Sequence, residues 1–319
     1  MSGLPWYAGS RSPFEEYRMT TRTLQAALTA QEFCLTAEVT PPLSCDPADL
    51  LAKAEPLAGL ADAVNVTDGA SARAHMDAIV AATILLRHGI DPILQLTCRD
   101  RNRIALQSQL VGAAASGISN VLILTGDDPK AGDQPDAKPV FDLDSSALMR
   151  TAASIRDKGE LPHGRKVGGT ARFFIGCADV PIDPKPGWAP EALRRKLDAG
   201  AQFVQTQFCM DLSLLTRYLD RLREHGIPLR KEVHLLVGVA PLASAKSARW
   251  IRDNLFGSVI PDSIIQRLEA AADPRSEGKS ICIDILQRLA DMPGVSGAHI
   301  MAPLNEASIP DVIREFRMG

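Results

Sequence analysis

Eight short apolar runs recur along the chain with helix-length stretches between them, and this recurrence limits the fold more than any other feature. They are FCLTAEV (33–39), ADAVNVT (61–67), PILQLT (92–97), NVLILT (120–125), ARFFIGCA (171–178), QFVQTQF (202–208), VHLLVGV (233–239) and GAHIMA (297–302). Near-continuous apolar runs of this length suit parallel strands covered on both faces. The stretches between them read as helices. Over 72–88, Met76, Ile79, Val80 and Ile84 share one helical face; over 211–225, Leu212, Leu215, Leu219 and Leu222 do the same. Gly89, Gly117, Gly200 and Gly226 each follow such a stretch, as a helix C-cap does. Eight strand–helix repeats close most simply into an α/β fold, the (β/α)8 or TIM barrel. A doubly wound sheet would carry G-x-G-x-x-G after its first strand, and that fingerprint is absent. Residues 1–30 read as a lead-in with one helix near 21–32, and 31–319 as a single barrel. The stretch 253–292 is too long for one barrel helix and implies an extra one before the last strand.

Composition narrows the function. A net charge of −3 over 319 residues leaves no basic footprint for nucleic acid or an acidic membrane. No apolar run approaches the roughly 20 residues of a membrane span. The start, MSGLPWYAGSRSPFEEYRM, lacks the basic-then-apolar pattern of a secretory signal, so a cytoplasmic location is expected. Six scattered cysteines without a C-x-x-C pair, and six histidines without H-E-x-x-H spacing, predict neither a disulfide framework nor a metal site.

In barrels of this kind chemistry sits at the C-terminal ends of the strands. Several runs end there in polar groups: Glu38 then Thr40-Pro41-Pro42; Asn65, Thr67 and Asp68; Gln95, Thr97 and CRDRNR (98–103); Thr125, Gly126 and Asp127; Gln205, Thr206 and Gln207. Convergence of this kind on one rim is hard to explain by stability alone. Bland readings stand beside each. Glu38 is either a rim carboxylate paired with an arginine or a functional group interrupting an apolar strand. Of the adjacent Asp127 and Asp128, either could simply cap a turn; the first is expected to be functional and the second solvated. CRDRNR reads first as a helix-start salt-bridge patch. The histidines read as surface or satisfied core groups, and Trp188 as a loop anchor or a ligand platform.

The segments AEVTPP (37–42), NVTDGA (65–70), QLTCRDRNRIALQSQLVGAAASGISNVLILTGDDP (95–129), AKPVFDLDS (137–145), KLDAGAQFVQTQF (196–208) and GVAP (238–241) follow one another in the order seen in methylenetetrahydrofolate reductases. The chain resembles that family from about residue 33 to 241 and more weakly to its end. It is similar to the short bacterial form, a catalytic barrel without the regulatory domain of animal forms. The resemblance implies an oxidoreductase of one-carbon metabolism and methionine biosynthesis. Such an enzyme reduces 5,10-methylenetetrahydrofolate to 5-methyltetrahydrofolate with hydride from NADH or NADPH, normally by way of bound FAD. NADH is the expected donor. A reduced folate is then the small-molecule partner, and a homo-oligomer would be unsurprising at this size.

The residue roles it implies are specific. The substrate's five-membered ring must open to an iminium cation before hydride adds, which needs a proton donor; the family's glutamate matches Glu38. A donor of this kind works best where an apolar setting disfavours its charged form. Asp127 matches an aspartate beside the flavin and pterin whose charge stabilises the cation and tunes the flavin. Gln207 matches the glutamine that bonds the pterin. Thr67 and Lys196 match positions that touch the flavin or its phosphates; Gln95, Thr97 and Gly126 belong to the same cofactor-binding set, Gly126 letting the backbone approach the flavin. Other positions depart. Thr125 stands where the family has arginine, Gln95 where it has histidine, Cys177 and Pro181 where it has tyrosine and histidine, and Ala189 and Ala192 where an Asp and Asn hold the adenosine. Three readings follow: FAD held by other contacts, a flavin-free enzyme passing hydride directly, or a barrel that binds or transfers a methyl group on reduced folate without reducing it.

Overall fold

The computed structural model describes residues 23–319 apart from Leu304. Strands β1 (Cys34–Val39), β2 (Ala63–Val66), β3 (Pro92–Thr97), β4 (Asn120–Leu124), β5 (Phe174–Asp179), β6 (Phe203–Phe208), β7 (His234–Val239) and β8 (Val295–Ile300) form one closed parallel barrel, β8 pairing back onto β1. The (β/α)8 expectation is met strand by strand. Around it run helices α2 (Pro47–Ala54), α3 (Ala78–Arg87), α4 (Arg103–Ala115), α5 (Ser145–Lys158), α6 (Glu191–Asp198), α7 (Leu212–Glu224) and α8 (Ala245–Asn254), then α9 (Asp262–Ala270), α10 (Pro274–Ala290) and, after β8, α11 (Ile309–Met318). The insertion expected in 253–292 is α9. Caps explain where helices begin: Asp46, Asp77, Asn102, Asp144 and Asp211 each accept a backbone N–H of the first turn. The four glycines expected as C-caps all have positive φ.

One helix face differs from expectation. α3 begins at Ala78, not near 72, because Asp77 caps it and Ser71 and Ala72 adopt left-handed φ. Its buried face is Ala78, Ala81, Ala82 and Leu85, while Val80 is 51% exposed. The segment AIVAATILL is apolar on nearly every side, so periodicity could not pick the face. In α7 the leucine stripe is buried as read.

Alternate residues of each strand point into the barrel, and they stack in layers. The floor is apolar: Cys34, Ala63, Ile93, Leu122, Phe174, Phe203 and Leu236 pack against Leu24, Ala27 and Leu28 of a short helix, α1 (Leu24–Thr29). Burying each of those leucines is worth about 1.5–3 kcal/mol. Helix α1 is the lead-in helix expected near 21–32; residues 1–22 lie outside the described residues. It is tied down where Leu24 N–H donates to Asp91 Oδ2 at 2.9 Å. Gly176 leaves room for the Phe203 ring, which a Cβ there would approach to 2.2 Å. Two residues further up each strand comes a polar layer, and above it the open mouth. Among the described residues no helix is long and apolar enough to cross a membrane.

Candidate functional site

The polar layer is one connected network. Asn65 and Gln205 face each other across the barrel in a reciprocal amide pair: Asn65 Nδ2 donates to Gln205 Oε1 at 2.6 Å, and Gln205 Nε2 to Asn65 Oδ1 at 3.0 Å. Gln205 Nε2 also donates to Thr36 Oγ1 at 3.2 Å, and Thr36 Oγ1 lies 3.0 Å from His299 Nδ1. All four side chains are buried. Asn65 and Gln205, grouped with the rim from sequence, therefore sit one level below it.

Glu38 stands directly above this layer, two residues beyond Thr36 on β1. Its carboxylate is 24% exposed; Oε2 lies 3.6 Å from His299 Nε2 and accepts from Gln95 Nε2 at 3.4 Å. Among the described residues no arginine pairs with it, so the salt-bridge reading of Glu38 gives way to a carboxyl at the mouth. The turn after it is fixed: Thr40 N–H donates to Glu306, which also pairs with Lys53 at 2.8 Å.

Gln207 rises from the level of Gln205 as Glu38 rises from that of Thr36. Because Gln205 and Thr36 are hydrogen-bonded, Gln207 and Glu38 share the next level towards the mouth. A bulge interrupts the β6–β7 register at this point. Gly238 permits it, since a Cβ there would meet the Thr206 and Gln207 backbone at 2.5–2.8 Å, and Thr206 Oγ1 accepts from Gly238 N–H. The Gln207 amide oxygen accepts from Phe208 N–H, leaving its NH2 for a ligand. Thr67, two residues above Asn65, is 4% exposed and its hydroxyl has no hydrogen-bond partner among the described residues.

Asp127 and Asp128 differ in their surroundings, and it is Asp128, expected to be solvated, that caps a turn. Both are exposed, but Asp128 Oδ1 caps the turn Pro129–Ala131 through Lys130 N–H, whereas the Asp127 carboxylate is solvated on the rim. Gly126 has φ +94° and its missing Cβ faces Thr97 and Arg99 at 3.0–3.1 Å. The left-handed φ and the close packing against β3 both require glycine here. The arginines of CRDRNR are structural: Arg101 pairs with Asp68, Arg103 chelates Asp142, Arg99 pairs with Asp100 and bonds the Gly69 carbonyl, and Asn102 caps α4. The Thr97 N–H and hydroxyl both donate to Asp68 Oδ2. Beside the mouth these loops enclose a cleft of about 420 Å³ lined by Asp68, Arg73, His75, Arg99, Arg101 and Gln134. A second cleft, of about 360 Å³, lies outside the barrel against α10. Neither is lined by Glu38 or Gln207; the strand register, not cleft size, locates the site.

The methylenetetrahydrofolate reductase family model matches residues 23–317. The chain belongs to the methylenetetrahydrofolate reductase family. It is 27% identical over 245 residues to a probable methylenetetrahydrofolate reductase (NADPH) of Caenorhabditis elegans, which covers 74% of this chain and 34% of that protein. Identity to the 5,10-methylenetetrahydrofolate reductase of Pectobacterium carotovorum is 26% over 263 residues, 77% of this chain and 76% of the other. The chain thus spans about a third of the length of the nematode relative and most of the bacterial one. An uncharacterized Clostridium thermocellum protein that binds two copies of 5-methyl-5,6,7,8-tetrahydrofolic acid shares the fold, with TM-score 0.63, 13% identity and coverage of 92% and 98%.

For a reductase of this family the question is whether the residues present suit FAD. The mouth offers a flat ring system the orphan Thr67 hydroxyl and the Gln207 amide. The rest of a dinucleotide finds little. Lys196, matched to the phosphates, has its ammonium 2.6 Å from the Ala178 carbonyl, and Thr97 is committed to Asp68. Cys177 points away from the barrel interior into the strand–helix core, where burial pushes its thiol up to about 12. Ala189 and Ala192 bring only methyl groups, and Trp188 is a loop anchor, packed on Tyr218 and held through Arg221. Beyond Thr67 and Gln207, these positions offer a dinucleotide few uncommitted polar side chains. The residue the sequence reading passed over is His299. Its only signal was a polar side chain in register with Thr36 on the inward face of the last strand.

Proposed function

We propose that this reductase-family chain converts 5,10-methylenetetrahydrofolate to 5-methyltetrahydrofolate, taking hydride directly from a reduced nicotinamide dinucleotide, NADH first. The observation that carries it is Glu38: a half-buried carboxyl at the mouth with a polar scaffold behind it and no lysine or arginine pairing with it among the described residues. In this reading Glu38 gives its proton to the departing ring nitrogen as the carbon–nitrogen bond breaks. The remaining nitrogen and methylene carbon become an iminium cation. Asp127, anionic on the rim, stabilises that cation, and the Gln207 amide orients the pterin. Hydride from the nicotinamide C4 then adds to the methylene carbon, giving the methyl product and oxidised dinucleotide. Supply of the dinucleotide and release of its oxidised form pass through the same mouth. The direct route is favoured over a flavin relay by the donor set around Lys196, Ala189 and Ala192. A cytoplasmic setting, a homo-oligomer and a place in methyl-group supply for methionine belong to the same proposal.

Purified protein incubated with methylenetetrahydrofolate should consume NADH, or NADPH more slowly, and form methyltetrahydrofolate without a visible flavin band or any stimulation by added FAD. A yellow preparation, absorbing near 450 nm as flavins do (about, set by the cofactor), would restore the relay. If neither dinucleotide is consumed, the chain is a reduced-folate-binding or methyl-transfer protein.

A further inference from the structure

We propose that His299 is a positioning residue for Glu38: its Nε2–H receives the carboxylate that forms as Glu38 gives up its proton, and the buried Thr36–Gln205–Asn65 chain fixes the ring to do so. This rests on the reductase reading for its kinetic consequence but on geometry for its structure.

The proton arrangement follows from counting donors. Gln205 has one NH2 group, and its two hydrogens go to Asn65 Oδ1 and Thr36 Oγ1. The Thr36 hydroxyl therefore accepts from Gln205 and has one hydrogen to give. Its two possible acceptors are His299 Nδ1 at 3.0 Å and the Ala298 carbonyl at 3.4 Å. The nearer takes it, so Nδ1 is an acceptor and the neutral ring carries its proton on Nε2. Nε2 is the atom facing Glu38 Oε2 at 3.6 Å. Every member below the mouth is 0–3% exposed, so no water competes for these bonds. The direction of the chain is set by the orientation of the amide pair, with Gln205 Nε2 turned toward Thr36. A buried histidine serving only to fill the barrel would need no such directional series, and leucine or phenylalanine fills the same layer one level down. The distance of 3.6 Å is longer than a hydrogen bond. It closes by a small carboxylate rotation when Glu38 becomes charged, which concentrates the interaction in the step where it is needed.

The chemistry discriminates between isosteres. A glutamine at 299 carries its amide nitrogen near the position of ring Nε2 and can still donate to Glu38. Asparagine carries its amide near Nδ1, keeps Thr36 and leaves Glu38 without the donor. H299N is therefore expected to lose roughly 100-fold in kcat for folate reduction, within the range general acid catalysis supplies, with KM for the folate changed less than about twofold. H299Q recovers at least about tenfold of that loss. Because His299 acts through Glu38, adding H299N to E38Q costs nothing further; independent losses that multiply would overturn the proposal. Equal losses in H299N and H299Q would also overturn it.

A second measurement stands apart from turnover. In protein labelled with 15N-histidine, long-range 1H–15N correlation of the ring, assigned by its disappearance in H299N, should show a neutral Nε2–H tautomer whose Nε2 shift moves in E38Q. A Nδ1–H tautomer, or a shift indifferent to E38Q, refutes the arrangement even if the chain proves to reduce nothing. Absence of any dinucleotide oxidation with a correct tautomer would instead refute the reductase reading alone.

Discussion

Asp91 offers a test of the barrel floor that owes nothing to catalysis. Its carboxyl is 6% exposed and accepts from Leu24 N–H and Asn120 Nδ2, each at 2.9 Å. Burial is the largest influence and pushes the group from 3.8 up to about 6, against the two hydrogen bonds. A carboxyl raised in the folded state binds more protons folded than unfolded, so the native state is favoured at low pH and loses that advantage as pH climbs from 3.8 through 6. The full penalty of ionising it in place is about 3 kcal/mol, of which about 2 kcal/mol falls between pH 4.5 and 7.5. In D91N the amide oxygen keeps Leu24 N–H. Turning the Asn120 amide to meet the new NH2 gives up its 3.1 Å bond to the Pro92 carbonyl, a cost that does not depend on pH. The variant therefore folds with a pH-independent offset, and titration is removed. Urea unfolding of both proteins at half-unit pH steps should give a stability difference that shifts in favour of D91N by about 2 kcal/mol from pH 4.5 to 7.5. A difference flat to within about 0.5 kcal/mol across that span would show that Asp91 does not titrate there, and that the floor is wetter or better bonded than its geometry implies.

Other outcomes follow from single contacts. G176A pushes a methyl into the Phe203 ring, which is stacked on Phe174 at 5.0 Å and has nowhere to move; it should cost about 1–3 kcal/mol in urea unfolding. D127N should lower folate reduction at least about tenfold, since it removes the charge opposite the iminium, while D128A, which loses only a turn cap, stays within about twofold. D68A removes the acceptor shared by Thr97 and Arg101 and should cost about 1–3 kcal/mol, with faster proteolysis of the loops after β2 and β3.

The barrel was legible because its evidence is repetition: eight apolar runs of strand length cannot easily be anything else, and each observed strand overlaps its run within a few residues. The α3 face was not, since periodicity carries no information in a segment apolar on all sides. At the site, Glu38 stood out as a charge inside an apolar run, and Asp127 as an anion at a strand end. Asn65 and Gln205 showed as polar but not as buried, because depth along a strand depends on barrel stagger, which no short window encodes. His299 was invisible for a related reason. One histidine on an inward face is ordinary; its meaning comes from Thr36, 263 residues earlier, across a closure that exists only once β8 has met β1.

Helix α1 and the apolar layer it covers make the barrel a vessel stopped at one end. Traffic therefore has a single doorway. If Glu38 is the proton donor proposed above, the hydrogen-bonded chain behind it ends, among the described residues, at buried amides rather than at solvent. The acid can be recharged only from the side where the ligands sit. Under the proposed function, departure of at least one of them precedes readiness for another turnover, so proton uptake by the acid is tied to the emptying of the mouth.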